Sequence, residues 1–236
     1  MRPRGTWVVL LLCLASAGGC SDSPRVKEAI VLSGSLKEIV ERPRQTDSLC
    51  LDTDRSMVRW RGKKIGGSHE GTVRLKAGIL ELQGSTVVQG AVVADMRSIA
   101  VTDIPAHERE ARENLRSHLA HEEFFGVERF PTARFVLTEV KEPDGGGRRS
   151  VVGRLTIRDS THAISFPLTA SMESRDEAMA RAAFSFDRNR WGIDFDGATS
   201  ILRNAIVHDL IELEVTIRGT REACGPSIQR EPSFSG

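Results

Sequence analysis

The sequence predicts an all-β domain with a minor helical part, about eight or nine short antiparallel strands forming a barrel or a sandwich. Three observations carry this. Apolar and polar residues alternate over most of residues 57–217, the period of a strand with one buried and one wet face. Turn-forming residues punctuate these runs at short intervals. One long segment lacks the alternation and reads as a helix.

The chain opens with Arg2 and Arg4, an apolar run from Trp7 to Leu14, and the small residues Ala15 to Gly19 before Cys20. This is the layout of a secretory signal peptide, and its apolar run is shorter than the roughly 20 residues a membrane-spanning helix needs. A cysteine directly after the small residues resembles a lipobox, in which the thiol is acylated and residues 1–19 are cut away. Ala17 stands where leucine is most common. Residues 20–48 read as a flexible tether. Within it Ser21 to Gln45 is charged, carries Pro24 and Pro43, and offers one short apolar patch, Ile30 to Leu36, for a weak helix or no structure.

Strand patterns follow, within a predicted domain over residues 49–224. Val58 and Trp60 alternate with Met57, Arg59 and Arg61. Val73 and Leu75 alternate with Thr72 and Arg74, and Gly78 then permits a turn into Ile79, Leu80 and Leu82. Val87 to Met96 is β-rich, as is Phe135 to Val140. Leu155 and Ile157 lead to a tight turn at Asp159-Ser160. His162, Ile164, Phe166 and Leu168 share a face, as do Ala182, Phe184 and Phe186. Ile211, Leu213, Val215 and Ile217 alternate with charged or polar neighbours. Ala106 to His121 lacks proline and β-branched residues, which favours a helix. Its stripe of Ala111, Leu115 and Leu119 is narrow, so it reads as a surface helix in a long crossover. Asp144 to Arg149 is a flexible turn, and residues 225–236 read as a disordered tail.

Removing residues 1–19 takes away two arginines and no acid, leaving 217 residues with 31 basic and 32 acidic side chains. Without a basic excess there is no electrostatic footprint for a phosphate backbone, so nucleic acid is not an expected partner. Cys13 leaves with the signal and Cys20 carries lipid. Cys50 and Cys224 remain, an even pair in an oxidising compartment. If the sheet closes, first and last strands become neighbours and a bridge between them is geometrically reasonable; otherwise they are two buried thiols.

No catalytic constellation emerges. His118, His121, Glu122 and Glu123 cluster, but no second pair is spaced to complete a zinc site, so no metal is expected. His69, His162 and His208 are isolated. Neither a nucleophile elbow, a P-loop nor a dinucleotide fingerprint is present. Asp187, Arg188, Arg190 and Trp191 read as an ion pair with a packed indole. The expectation is a non-enzymatic protein without a cofactor.

An ordered series of residues resembles the YceI-like family of bacterial lipid-binding proteins. It runs from Asp52, Ser56 and Trp60 through His69-Glu70-Gly71 and Gly78 to Asp95, Met96, Ser98 and Ile99. His118-Leu119 then precede the most specific part, Phe124-Phe125, Phe130-Pro131-Thr132 and Phe135. Gly153, Leu155, Thr156, Phe166-Pro167, Phe184, Asp187-Arg188, Trp191-Gly192-Ile193 and Asp209 complete it. Members often carry histidine where this chain has Arg55. The resemblance implies a closed antiparallel eight-stranded lipocalin-like β-barrel with one or two short helices in a crossover and a central tunnel, often dimeric. It also implies binding of a long-chain isoprenoid lipid or quinone. Trp60, Leu155, Ile157, Ile164, Phe166, Phe184, Ile211, Leu213 and Val215 are the candidate lining, and His69, Arg188 and Asp209 the polar candidates for a mouth. The same apolar residues are plain core if the barrel is filled, which would suit a surface adhesion or assembly module. Either protein would sit in the cell envelope, held to a membrane on its periplasmic or outer face through Cys20.

The anchor is testable alone. Expressed with its export signal, the full chain is expected to partition into detergent and Cys20→Ala to become soluble; wild type that stays soluble after export contradicts the lipobox.

Overall fold

In the computed structural model, residues 27–28, 30–32, 47–64, 66–84, 86–144, 148–193 and 208–224 are described. The signal segment, Cys20, most of the tether, the glycines of the Asp144–Arg149 turn and residues 225–236 lie outside them. In chain order come β1 (Lys27–Glu28), β2 (Ile30–Leu32), β3 (Asp47–Leu51), β4 (Met57–Lys64), β5 (Gly67–Gln83) and β6 (Thr86–Val101). Helix α1 (Arg109–Ala120) leads to β7 (Thr132–Val140), β8 (Arg149–Ile157), β9 (Ser160–Met172), β10 (Glu177–Asp187) and β11 (Leu210–Thr220). Short 3-10 turns cover Arg188–Trp191 and Glu222–Cys224.

Strands β4 to β11 pair each with the next, all antiparallel. β11 returns to β4, setting Leu213 opposite Trp60 and Val215 opposite Val58. The result is a closed eight-stranded barrel, which leaves no open sheet edge. Because side chains alternate along a strand, closure turns one set inward. Trp60, Val73, Leu155, Ile157, Ile164, Phe166, Phe184 and Ile211 are all buried. Arg59, Arg61, Lys63 and Glu212 take the opposite face, where Lys63 pairs with Glu212 at 2.7 Å and Arg61 with Glu70 at 2.8 Å.

Three readings are corrected. β5 runs unbroken through Gly78, and its irregularities are register shifts against β6 on either side of Arg74–Leu75 and between Glu81 and Leu82. A Cβ at Gly78 would lie 3.0 Å from the Ala91 carbonyl and 3.3 Å from Leu51 Cβ, so this glycine answers crowding between strands rather than a turn. The tether is not featureless: β1 pairs parallel with β10, and β2 antiparallel with β9. Lys27–Glu28 and Ile30–Leu32 are strands because β9 and β10 part and leave two ladders to be satisfied. Helix α1 is less superficial than its charge suggested, with Leu115 and Leu119 fully buried against the barrel end and Ala111 exposed.

β3 lies below β4, pairing with both β5 and β11. There Leu49, Leu80, Leu82 and Ala178 form a second small core. Cys50 and Cys224 are bonded across this end, 174 residues apart. Asp52 Oδ1 accepts from the Asp54 and Arg55 amides, and buried Ser56 accepts from the Arg218 amide at 2.9 Å, so the chain enters β4 in fixed register. Arg55 pairs outward with Glu177 at 2.7 Å. The closing prediction concerns the bridge: replacing both cysteines by serine should lower unfolding free energy by about 5 kcal/mol in the chain-entropy model, less where strain offsets it. Denaturant titration with unchanged midpoint would show that the bridge constrains nothing.

Candidate functional site

Inward faces of the barrel do not meet at its centre. They enclose a cavity of about 180 Å³ lined from β4 round to β11 and at one end by Leu119, Phe124 and Phe125. Among the lining residues only Arg134 is charged, and it is exposed. An apolar cavity of roughly 150 Å³ stays dry and takes up benzene, so this space favours an apolar occupant over water. Along β10 the lining runs from Ala180 to Phe186, roughly 20 Å of strand at about 3.3 Å per residue. Its shape is therefore that of a tunnel.

Glycines and aromatics set its width. A Cβ at Gly71 would stand 1.8 Å from the Ala100 carbonyl and 2.5 Å from the Trp60 ring, so Trp60 lies flat on β5 only because position 71 is bare. Gly153 does the same for Phe135, whose ring tip lies 2.3 Å from the missing Cβ. Phe166 stacks on Phe184 at 4.1 Å, with Phe135 tilted against it at 5.3 Å. Along the same strand as Phe184 the wall is thin at Ala180 and Ala182, which also line the cavity.

The upper end is closed by two pieces. In one, α1 and the chain after it bring Leu119, Phe124 and Val127 into the core. In the other, the Arg188–Trp191 turn drives Trp191 and Ile193 fully inside. Trp191 Nε1 donates to the Leu155 carbonyl at 3.1 Å, and its ring meets Phe186 and His162 edge-on. His162 Nε2 donates to the Arg190 carbonyl at 2.7 Å. Arg158, in left-handed conformation at the β8–β9 turn, donates to Gly192 O at 2.7 Å and Phe124 O at 3.4 Å, joining the two pieces.

Every residue of the predicted lining except Ile164 faces this cavity. Ile164 is buried in the surrounding core. The polar mouth candidates stand elsewhere. Buried Arg188 donates to the Ile193 carbonyl and pairs with Asp209 at 3.2 Å, so its ion-pair partner is Asp209 rather than Asp187. His69 Nδ1 lies 2.7 Å from Asp103 Oδ2 and its Nε2 lies 3.0 Å from Lys64 Nζ. The ammonium can only donate, so Nδ1 carries the hydrogen given to Asp103. Burial works to raise the Asp103 pKa, but the Glu70 amide and His69 outweigh it and hold the carboxyl below its usual range. His118 is half-buried beside Phe124, and desolvation lowers its pKa. His121 lies outside with Glu123 at 3.9 Å. The contributions of Leu119, Phe124 and Phe125 were missed because they stand in the crossover, where no period of two marks an inward face.

Comparison with known proteins agrees with this geometry. A family model described as the YceI-like domain matches residues 50–219. A UPF0312 protein of Pseudomonas putida is 29% identical over 110 residues, covering 44% of this chain and 53% of the relative; the chain spans about half the length of the curated relatives it matches. Burkholderia cenocepacia BcnA superposes with a TM-score of 0.56 at 18% identity, covering 72% of this chain and 99% of BcnA. A polyisoprenoid binding domain from Saccharophagus degradans, implicated in plant cell wall breakdown, superposes at 0.55 with 11% identity, covering 75% and 99%. At these identities the superpositions speak to fold.

The Trp60–Gly71 contact gives a direct test. Gly71→Ala must displace either the indole or β6, and overpacking of this kind costs about 1–3 kcal/mol. Thermal unfolding should shift down and the fluorescence of Trp60 should change; a variant with wild-type stability and emission contradicts the packing described.

Proposed function

The chain belongs to the YceI-like family, and from that premise we propose that its barrel binds a long-chain isoprenoid lipid, a polyisoprenoid or an isoprenoid quinone, and carries or sequesters it in the cell envelope. The observation that carries the reading is the apolar cavity running along the barrel. A filled barrel would serve an adhesion module equally well, but an empty apolar tunnel has a physical use only when something apolar occupies it. Burial contributes roughly 0.8 kcal/mol per CH₂, so a tail without polar groups gains along its whole length, while a charged or hydroxylated chain would leave polar groups unpaired. The polyisoprenoid binding domain of Saccharophagus degradans, similar in fold, supports the same ligand class.

Apolar faces point inward and charged faces outward, the reverse of a membrane-spanning barrel, whose outer band is apolar. Among the described residues no helix is long and apolar enough to cross a membrane. The outward-facing charges support a barrel that stays in water, and the signal layout before Cys20 supports an acylated cysteine as its contact with the membrane. Binding, rather than catalysis, is the work this lining suits: the aromatic and aliphatic wall offers a tail contact and exclusion of water.

The test is a chain-length series of prenyl alcohols with wild type and Ala182→Trp. Ala182 faces the tunnel opposite Val215, so an indole there occupies the ligand's path. Wild-type affinity should rise with each added isoprene unit until the tunnel is full. Ala182→Trp should lose roughly tenfold or more in Kd, about 1.4 kcal/mol or greater, while keeping its β-sheet circular dichroism. Equal binding of short and long tails, or unimpaired binding by a folded Ala182→Trp, contradicts the reading.

A further inference from the structure

The cavity of about 180 Å³ is close in size to the roughly 150 Å³ cavity that takes up benzene, too little for a tail of many isoprene units. Loading a long tail therefore requires part of the wall to move. The ends are poor candidates. One is packed with Phe124, Trp191 and Ile193, and the other is crossed by β3 and the Cys50–Cys224 bridge.

The side wall has one seam of a different construction. β9 and β10 pair with each other only from Leu168↔Ala182 down to Met172↔Ala178. Directly above the Leu168↔Ala182 pair stands Pro167, which has no amide hydrogen to give a ladder and belongs at edges and irregularities of sheets. Beyond it the two strands pair with the N-terminal strand instead, β10 through Lys27↔Phe184 and Glu28↔Ser185, β9 through Ile30↔Ser165, Val31↔Ile164 and Leu32↔Ala163. That is two pairs on one side and three on the other, against eleven between β10 and β11. A wall element held by so few pairs opens at the lowest free energy. Behind it stand Phe166 and Phe184, stacked at 4.1 Å and both lining the tunnel.

We infer that this seam is a lateral gate, closed by β1 and β2, through which an apolar tail enters sideways from a lipid surface. Position in the chain gives the partner. Lys27 follows Cys20 by seven residues, which span no more than about 25 Å fully extended, so an acyl anchor on Cys20 holds the seam close to the bilayer. β9, along the seam, carries no Asp, Glu, Lys or Arg over Ser160–Met172, whereas β11 and β4, on the other side of β10, bear Arg59, Arg61, Lys63, Glu212 and Glu214. The uncharged strand of the seam thus lies beside the segment that runs back to Cys20. Release of β1 and β2 would expose the two phenyl rings to an incoming tail, and their return would reseal the wall. The inference rests on the lipid-binding reading above and adds to it the route and the surface.

The experiment uses the full-length, acylated protein on phosphatidylglycerol–phosphatidylethanolamine vesicles containing a fluorescent prenyl alcohol. Ile30→Cys with Ser165→Cys, partners in register, pins β2 to β9 when oxidised. Uptake by the pinned protein should be slower by roughly tenfold or more, since only the minor open population loads. Reductant should restore it to the rate of wild type under the same reductant. A second variant replaces Lys27 to Leu32 by a glycine–serine linker of equal length and should load and release faster than wild type. Pinned protein that loads at the wild-type rate, or a linker variant with unchanged exchange, overturns the gate while leaving ligand binding standing. Wild type that takes up no prenyl alcohol, either from vesicles or in the chain-length series, overturns both.

Discussion

Six residue pairs between Met57–Gly62 on β4 and Ile211–Thr216 on β11 turn an antiparallel sheet into a barrel. These residues are about 150 positions apart in the chain, so the ladder forms only when everything between them is in register. Register in turn rests on the inward faces, because a slip of one residue would send Trp60, Leu213 and Val215 to water and Arg59, Arg61 and Glu212 into the core. Closure and patterning thus enforce each other. The cavity is a consequence: eight strands fix a circumference, and small residues such as Ala180 and Ala182 leave the middle underfilled. About eight strands is the size at which a barrel interior can be filled by side chains or hold one small ligand, and the small residues on β10 leave room for the second.

The parts that follow a period of two were legible in the sequence. Ile211, Leu213, Val215 and Ile217 alternate cleanly with Glu212, Glu214, Thr216 and Arg218, and the fold places them on opposite faces. The bridge between Cys50 and Cys224 was legible too, because closure makes neighbours of the chain's two ends. What local pattern hides is anything decided by a distant partner. Gly78 reads as a turn until β3 is seen crossing beside it. Lys27 to Leu32 reads as a tether because its strand character comes from the unfilled ladders of β9 and β10. Ile164 shares a face with Phe166, yet packs into the core beside the tunnel. Phe124 and Phe125 reach the cavity from a crossover with no periodicity at all.

Polar residues near the ends of the barrel act as structure. Arg188, Arg158 and His162 each donate to backbone carbonyls of the caps, while Nε of both arginines is buried without an acceptor. His69 is held, largely buried, between Lys64 and Asp103. These networks seal one end and leave the apolar wall uninterrupted. The division of labour is consistent: charge fixes the caps and the outer face, while aromatic and aliphatic groups define the interior.

The central claim is that the tunnel exists to hold an apolar tail. Native mass spectrometry of the full-length protein, purified from bacterial envelopes in mild detergent and then offered a long-chain prenyl lipid, tests it most directly. The account predicts one lipid adduct per barrel, removed on denaturation and replaced on incubation with the added lipid. Folded, disulfide-bonded protein that carries no adduct before or after incubation would contradict it.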